Sequence, residues 1–492
     1  MKLEWLKKIQ KLIPLRQIPY SNYILLAILI LGFIIRVYKI NSLPLYGDEL
    51  TIVYDSYSIL KTGMDQTGQF LPLTFKMGAG RPAGYVYGSI PFIAIFGPTV
   101  WGVRGLSLLS GLGIIILMYF LGKKLFSQKI GLMASFLTSV SLWDIYLSRA
   151  GFEAHFALFL TLFGGVMFLY KKYIFMAILF GVAIFTYPTF KLTIPLLFLA
   201  FIFFSEIKRT FQNKTFLLSL AVLAVFAGFS LKETINGVSD DRFFNINTFS
   251  DSNLKESIIQ KINEERNLST LPESIKPFIY NKPLKYSRIL FENYMENLSP
   301  QFLYLRGDRN PRHNPGEWGM LYLVELPLLF VGLYFLFKDN KKALVLIISW
   351  ILIVPLATMF LGQTHALRNN LMLPPFILIS AYGLLSVSNK LKNVFIFLIL
   401  IQLIGVLMVV YFFAPNKFGS FWSLEAKTAS LKAINTDKNQ QVVLATSIDN
   451  IEYAYPVYAK IDPKEVIAQY GKFPKKYNNV IISNEIQQSY EK

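Results

Sequence analysis

Residues 394–413 read VFIFLILIQLIGVLMVVYFF, twenty consecutive residues without a charged side chain. A helix of this length rises about 30 Å, which is the thickness of the hydrocarbon core of a bilayer. A similar run, YILLAILILGFII, occupies residues 23–35 near the N-terminus. Because apolar runs of this kind recur along most of the chain, the sequence predicts a membrane protein built from helices.

The composition supports this reading. Of the 492 residues, 53% are hydrophobic and only 16% are charged, whereas soluble globular chains carry roughly 25% charged residues. This composition excludes a disordered chain, a collagen and a coiled coil. The chain contains no cysteine, which excludes disulfides, a thiol nucleophile and a cysteine-ligated metal.

Hydropathy predicts about eleven transmembrane helices. They are expected at 23–35, 100–122, 130–147, 156–170, 173–186, 193–204, 216–231, 320–337, 343–361, 371–387 and 394–413. The basic, amphipathic stretch 1–19 precedes them without a small-residue cleavage site, which favours an uncleaved first span over a signal peptide. Residues 83–96 are apolar but short, so we expect a helix that lies in or dips into the outer interface.

The distribution of lysine and arginine predicts that the N-terminus is cytoplasmic. In that orientation the cytoplasmic segments hold eighteen cationic side chains, and the short outer connections hold only Arg149, Lys191 and Arg368. This asymmetry follows the positive-inside rule. The net charge of +19 is then largely a consequence of topology and gives no reason to propose nucleic acid binding.

Three polar segments are external in this topology: 41–98, 232–318 and the tail 415–492. The first is expected to contain the interfacial helices, and the second is amphipathic. In the tail, QVVLATSI and NNVIIS predict short strands beside helical segments. The predicted fold class is therefore an all-α polytopic membrane domain over 1–414 with a small, separable external α/β appendage over 415–492.

The first outer segment contains LYGDEL, in which Asp48 and Glu49 are adjacent. Carboxylates just outside a bilayer are suited to general base catalysis, because partial desolvation raises their proton affinity while they stay mostly ionised. The alternative is that Asp48 caps a helix over 49–62. The residues alone leave both interpretations open.

The third outer connection reads SLWDIYLSRAGFEAHF. On one helix, Arg149 and Glu153 would be four residues apart and able to pair, with Asp144 and His155 close by. An interfacial salt bridge is the structural alternative. A functional site is favoured because Asp48, Glu49 and Glu153 reach the same membrane face from different spans.

All three histidines and several cations fall on the predicted outer side, where such a set can bind a phosphate. They are His155, His313, His365, Arg149, Lys191, Arg306, Arg309, Arg312 and Arg368. The alternative is that they belong to helix-entry loops at the headgroup level. The chain has no HExxH, GxxxxGK[ST] or GxSxG motif, and GAGRPAG at 78–84 misses the GxGxxG spacing. No metal site or cofactor is predicted, although carboxylates leave a divalent metal open.

Several stretches resemble a known family. They are the acidic pair after the first span, FGPTVWGVRGLSLLSGLGIIIL at 96–117, KKLFSQKIGLMASFLTSVS at 123–141, SRAGFEAHFALF at 148–159 and HALRNNLMLPPFILISAYGL at 365–384. With them the chain resembles bacterial membrane glycosyltransferases of the GT-C fold, in the protein mannosyltransferase and aminoarabinose transferase group. The resemblance covers most of residues 22–387.

The resemblance implies an inverting transferase of the plasma membrane that moves a sugar from a polyprenyl-phosphate donor to an acceptor hydroxyl on the outer face. The acceptor would be a lipid, a protein or a glycan. The family's acidic pair maps onto Asp48 and Glu49, and its second acidic residue onto Glu153. Basic residues before a late span map onto His365 and Arg368, which would bind the lipid phosphate. Outer cations complete the expected phosphate-binding set: Arg149, Lys191, Arg312 and His313.

The main rival is a secondary transporter or lipid flippase, which would also be polytopic and basic inside. Transporters place ionisable groups near the bilayer midplane at a repeat interface. Here most candidates lie on one face and no inverted repeat is visible. Glu325 is the exception, because it lies inside a predicted span. It is either a proton site or the partner of a neighbouring arginine.

Overall fold

The computed structural model describes residues 20–235, 247–316 and 318–484. The basic stretch 1–19 and part of the large outer segment lie outside the described residues. The described chain is mostly helical, and its first part runs from the first span into the first outer segment. In chain order this part contains α1 (Tyr20–Val37), α2 (Gly47–Thr62), β1 (Thr74–Phe75), α3 (Met77–Gly80), β2 (Arg81–Pro82) and α4 (Gly84–Phe96).

The central part consists of membrane helices followed by the helices of the second outer segment. The elements are α5 (Val100–Leu125), α6 (Gln128–Val140), α7 (Leu142–Leu147), α8 (Glu153–Leu169), α9 (Tyr173–Ile184), α10 (Phe190–Phe204), α11 (Ile207–Phe211), α12 (Lys214–Ile235), α13 (Ser252–Leu268), α14 (Lys276–Ile279) and α15 (Lys282–Asn297), and then a π-helical turn, Gln301–Leu305. Hydroxyl caps start two of these helices: Thr99 accepts the N–H of Gly102, and Ser127 that of Ile130.

The last part contains the remaining membrane helices and the tail. The elements are α16 (Glu325–Asp339), α17 (Lys341–Thr358), the 3₁₀ turns Met359–Leu361 and Asn370–Met372, α18 (Leu373–Ser386), α19 (Asn389–Met408), a π-helical turn Val409–Phe413, α20 (Ala414–Lys417), a 3₁₀ turn Gly419–Trp422, α21 (Leu424–Ile434), β3 (Val442–Ala445), α22 (Ile451–Tyr458), α23 (Pro463–Ala468), β4 (Lys475–Tyr477) and β5 (Val480–Ser483).

Each predicted span overlaps a helix. Within the described residues, five helices are long and apolar enough to cross a membrane: α1, α5, α12, α17 with the turn after it, and the continuous run Asn389–Lys417. Helices α8, α9, α10 and α18 are apolar but shorter, so the count of eleven spans stays a prediction. Residues 130–147 form two helices, α6 and α7, because Ser141 has extended backbone. The interfacial segment 83–96 forms α4.

Glycines bring neighbouring membrane helices into close backbone contact. A Cβ atom on Gly131 of α6 would lie 2.4 Å from the carbonyl oxygen of Tyr119 in α5. A Cβ on Gly383 of α18 would lie 2.2 Å from the carbonyl oxygen of Leu328 in α16. Such contacts exclude any larger residue and are typical of packing between membrane helices.

A buried ionic network joins α1, α7 and α8. Arg36 donates to Asp144 Oδ2 at 2.6 Å and to the Ser139 carbonyl at 2.9 Å, and His155 Nε2 lies 2.9 Å from Asp144 Oδ1. All three charged or titratable side chains are fully buried. The Asp144 and His155 pair therefore fastens the helices and does not open to a site.

The tail contains the predicted strands. Its three-stranded sheet has the order β3-β5-β4, with β3 parallel and β4 antiparallel to β5. The tail shares one hydrophobic core with the first outer segment, in which Tyr455 and Tyr477 pack with Leu50 and Val53 of α2. The Tyr54 hydroxyl also donates to the Ile461 carbonyl at 2.9 Å. This shared core argues against the separable appendage that the sequence predicts, since each side would expose apolar surface without the other.

Candidate functional site

A cavity of about 660 Å³ opens where the first outer segment meets the loops around residues 310 and 365. The predicted site residues that line it come from five separate parts of the chain. Seven of the nine predicted site residues line it: Asp48, Glu153, Lys191, Arg312, His313, His365 and Arg368. The sequence could not show this convergence, because these residues are up to 320 positions apart.

Arg81 organises the acidic wall of the cavity. Its guanidinium is fully buried and donates to Asp48 Oδ1 at 2.7 Å, to Glu153 Oε1 at 2.7 Å and to the Thr51 hydroxyl at 2.6 Å. Burial opposes the charge of Arg81, but Glu153 and Asp48 outweigh it and raise the pKa of the guanidinium above its usual value. Arg81 therefore stays cationic and fixes both carboxylates.

Asp48 keeps one side open to the cavity. Its side chain is 40% exposed, and within the described chain only Oδ1 has a side-chain partner, Arg81. Asp48 is also not a helix cap, because α2 begins at Gly47 and its N-cap is Tyr46. The capping alternative is therefore wrong, and Asp48 is left as an accessible carboxylate.

Glu49 lies on the other side of α2 and does not reach the cavity. Its side chain is fully buried in a two-bond ion pair with Arg104, at 2.7 Å for each bond. The N–H of Gly151 donates to the same carboxylate at 2.7 Å. Arg104 also binds the carbonyls of Ile40 and Pro44, so the pair joins α5 to the end of the first span and to α2.

Arg149 is the second predicted site residue that the structure keeps away from the cavity. Helix α7 ends before it and α8 begins after it, so it does not pair with Glu153. Its guanidinium instead donates to the carbonyl of Arg36 in the last turn of α1 at 2.8 Å and to that of Tyr38, just after the helix, at 2.7 Å. Helix ends present unpaired carbonyls and favour a cation, which explains this position.

Basic side chains line the same cavity as the carboxylates. Arg312 lies over the Tyr46 ring, 5.4 Å from its centroid, and donates to the Phe421 carbonyl at 2.7 Å. Arg368 donates to the Leu361 carbonyl at 3.3 Å. The cavity thus combines carboxylates with cations in one enclosed space, an arrangement suited to a polar substrate that carries a negative charge.

Sequence reasoning missed three organising residues, Arg81, Arg104 and Asp308. Arg81 lies in GAGRPAG, which was tested only as a nucleotide motif. Arg104 lies inside the predicted span 100–122. A charged side chain within a membrane span requires a partner, so its position could have identified it from the sequence. Glu325 in α16 is buried, and among the described residues no arginine forms an ion pair with it.

Asp308 connects the two loops that carry the histidines of the cavity. Its carboxylate accepts from His313 Nδ1 at 3.0 Å and from the N–H of Ala366 at 2.7 Å. Burial opposes ionisation, but the hydrogen bond from His313 and the nearby rings outweigh it and lower the pKa of Asp308 to about 2. The carboxylate is therefore ionised near neutral pH.

A second, apolar groove of about 710 Å³ runs between α10 and α17. Leu196, Leu199, Phe203 and Leu352 line it, with Lys342 at the end away from the cavity. The other ends of the same two helices contribute Leu192 and Ala357 to the wall of the cavity. The groove therefore leads along these two helices toward the cavity.

Comparisons with known proteins agree with this architecture. Residues 85–231, under a third of the chain, match the family described as dolichyl-phosphate-mannose-protein mannosyltransferase. Among curated protein sequences, none matches the chain. Structural similarity extends much further than sequence similarity.

Two enzymes illustrate the structural similarity. The archaeal oligosaccharyltransferase AglB of Archaeoglobus fulgidus, solved with an inhibitory peptide and a dolichol-phosphate, is 11% identical with a TM-score of 0.50, and the match covers 89% of this chain and 64% of that one. ArnT of Cupriavidus metallidurans, solved bound to undecaprenyl phosphate, is 11% identical with a TM-score of 0.53, covering 90% and 84%.

The chain therefore spans about two thirds of the length of the archaeal enzyme. At this identity the similarity defines the fold rather than the reaction. The resemblance that the sequence motifs implied is confirmed: this is a multi-pass membrane protein with the fold of the GT-C glycosyltransferases.

Proposed function

We propose that this protein is an inverting glycosyltransferase that moves a sugar from a polyprenyl-phosphate donor to an acceptor hydroxyl on the outer face of the membrane. The observation that carries the proposal is the cavity, which an accessible carboxylate, Asp48, lines together with the cations Arg312, Arg368 and Lys191. An apolar groove extends from the same region along two membrane helices. The matched family, whose description names a dolichyl-phosphate sugar, supports the same reaction class.

Asp48 is the proposed general base. The acceptor hydroxyl must lose its proton as it attacks the anomeric carbon, and a positioned carboxylate can accept that proton. Arg81 holds Oδ1 at 2.7 Å, which fixes the carboxylate and directs Oδ2 to the reaction. Glu153, bound to the same arginine, is a positioning residue that fixes the guanidinium.

The cations of the cavity are proposed to bind the phosphate of the donor. The leaving group is a phosphate monoester anion, which needs electrostatic stabilisation more than it needs a strong acid. Arg312 and Arg368 are each held by a backbone carbonyl and so are partly preorganised. One displacement of this kind inverts the anomeric carbon.

The apolar groove between α10 and α17 is the proposed path of the polyprenyl tail. Isoprenoid chains are hydrocarbon. Their binding to a shaped apolar surface is favourable, because apolar area leaves water and close van der Waals contacts form. The groove is lined mainly by aliphatic and aromatic side chains, and its walls continue into the cavity. A lipid could therefore enter sideways from the membrane.

A turnover assay tests the reaction. The purified full chain in lipid nanodiscs is incubated with a panel of polyprenyl-phosphate sugars and an acceptor mixture, and release of free polyprenyl phosphate is measured. We expect release with at least one donor and its loss in Asp48→Asn. Release that is equal in the two proteins would exclude Asp48 as the base.

Orientation has a separate test, because the reaction requires the cavity to face outward. Lys438 is exposed in the tail, and the chain has no other cysteine to react, so Lys438→Cys reports on one position only. We expect an impermeant maleimide to label it in intact cells. Ser483 would be a poor reporter because it is buried in the sheet. Labelling only after lysis would contradict the outward orientation.

A further inference from the structure

Three potential metal ligands from two separate loops meet at the wall of the cavity. Asp308 and His313 precede α16, and His365 lies between α17 and α18. One ligand atom of each lies within 4.8 Å of the others. Two separations are shorter: His313 Nδ1 lies 3.0 Å and His365 Nδ1 lies 4.0 Å from Asp308 Oδ2.

This cluster is held in place by the surrounding fold. Asp308 accepts the N–H of Ala366 at 2.7 Å, which ties one histidine loop to the other. Trp143 donates to the Ala366 carbonyl at 3.1 Å, and Tyr146 donates to the Pro311 carbonyl at 2.7 Å. Both aromatic residues lie in α7, so a rigid helix fixes both loops. A site whose ligands are preorganised in this way loses little conformational entropy when it binds an ion.

The two loops that carry His313 and His365 could be held together without either histidine. The Asp308 carboxylate already joins the loops through the N–H of Ala366. Two imidazole rings nevertheless lie 4.3 Å apart, centroid to centroid, beside the same carboxylate. Both histidines also line the cavity, although Asp308 itself is buried. Two nitrogen ligands and one oxygen ligand converge at a polar wall, as in a metal centre with an open position.

We propose that Asp308, His313 and His365 form a divalent metal site of the Zn²⁺ class, whose open position faces the cavity and takes an oxygen of a phosphate group. In a tetrahedral Zn²⁺ site with bonds of about 2.0–2.2 Å, ligand atoms lie about 3.3 Å apart. The separations of 3.0 and 4.0 Å fall on either side of that value. Imidazole nitrogens favour Zn²⁺ over Mg²⁺ or Ca²⁺, which prefer oxygen.

The phosphate part of this inference rests on the proposed function, whereas the metal part does not. Three protein ligands leave a fourth position in a tetrahedral site, and Arg312 is the neighbour of His313 on the same cavity wall. A metal there would act as a Lewis acid on a phosphate oxygen and add to the charge of the arginines. A metal bound through Nδ1 of His313 would require the neutral tautomer that carries its hydrogen on Nε2.

Cobalt binding tests the metal site without turnover. The full chain is purified in detergent, treated with EDTA and titrated with Co²⁺, whose visible absorption is strong in tetrahedral sites. We expect one Co²⁺ per chain. His365→Gln and His313→Gln should each weaken binding by more than the roughly 10- to 100-fold that loss of an outer partner costs. His365 is 23% exposed, so His365→Gln should keep the thermal unfolding temperature of the wild type.

Asp48→Asn is the matched control, because it removes a carboxylate that lines the same cavity but is not one of the proposed ligands. It should bind Co²⁺ as the wild type does. Loss of Co²⁺ binding in Asp48→Asn, or equal binding in the histidine variants, would overturn the assigned ligands. Inorganic phosphate should change the spectrum of the Co²⁺-loaded wild type, and an unchanged spectrum would overturn the phosphate ligand. An inactive protein that binds Co²⁺ through the histidines would contradict the proposed function and leave the metal site intact.

Discussion

The two faces of α2 differ in exposure and in hydrogen bonding, although Asp48 and Glu49 are adjacent in the chain. On the cavity face, Asp48 is 40% exposed and shares the arginine Arg81 with Glu153. On the buried face, Glu49 is fully enclosed and binds Arg104 with both oxygens. A carboxylate with an open oxygen can exchange a proton with a substrate. A carboxylate whose oxygens are both occupied can only hold the structure together.

Helical geometry produces this division. Successive side chains on an α-helix point about 100° apart, so one of two adjacent acidic residues faces the cavity while the other faces α5. The buried face continues toward the tail, where Leu50, Val53 and Tyr54 join the shared core. The first outer segment thus lies between an open cavity and a packed interior, and the two faces of α2 should respond differently to substitution.

Removing the tail should have the largest effect. Ending the chain after Pro415 removes much of the outer core, including Tyr455, Tyr477 and Ile482, and exposes the buried face of α2. We expect rapid proteolytic cleavage within 47–96 and loss of turnover. Tyr54→Phe is a graded control, because it removes only the bond to the Ile461 carbonyl, worth about 0.5–1.5 kcal/mol. Protease resistance equal to that of the full chain would instead support the separable appendage.

Glu49→Gln should be the most damaging single substitution on the buried face. It keeps the shape of the side chain but leaves Arg104 as an uncompensated buried charge, which costs about 3–5 kcal/mol. We expect a large fall in the thermal unfolding temperature in detergent, whereas the exposed control Glu425→Gln should leave it unchanged. Normal unfolding together with lost turnover would return Glu49 to the catalytic machinery, where the family resemblance places it.

Asp48→Asn should have the opposite profile. Turnover should fall by roughly 100-fold or more, the scale of general base catalysis, which corresponds to about 2.7 kcal/mol of activation free energy. Thermal unfolding and donor binding should stay close to the wild type, since the side chain is partly exposed and Asn can still accept from Arg81. Glu153→Gln should reduce turnover less, because Glu153 acts through Arg81. Near-normal transfer by Asp48→Asn at saturating donor would contradict the assignment.

Asp55 should give the smallest effect, one that depends on pH. It lies seven residues after Asp48, and so on the same side of α2, but it is fully buried. Burial, partly opposed by the Gln66 N–H, raises the pKa of its carboxyl from 3.8 to about 7. The folded state therefore holds a proton that the unfolded state has lost, and this contribution to stability disappears as pH rises from about 4 through 7. Between pH 5.5 and 7 the loss is about 2 kcal/mol.

The variant Asp55→Asn cannot ionise and should lack this part of the pH dependence. Urea or thermal unfolding of both proteins at pH 5.5 and pH 7 measures it. We expect the wild type to lose stability over this interval while the variant changes less. Parallel curves for the two proteins would show that Asp55 is ionised in the folded state.

The sequence predicted much of the candidate site because membrane topology restricts where polar residues can lie. Asp48, Glu153, Arg312, His313, His365, Lys191 and Arg368 were selected because they fall on one predicted side of the bilayer, and all of them line the cavity. Arg149 was selected by the same rule but binds carbonyls at the end of α1. Sidedness identifies a face of the membrane, but it does not distinguish a cavity from a helix end.

The sequence alone determined the class of fold, the approximate helices and two of the three strands of the tail. These follow from local hydrophobic length and periodicity, which act over some twenty residues at most. Only the tertiary structure decided which acidic residue is accessible, that Arg81 joins Asp48 to Glu153, and that Asp308 meets two histidines. These pairings join residues that are far apart in the chain, and their energies depend on burial and on distances of a few ångströms. The local sequence pattern gives neither the burial of these residues nor the distances between them.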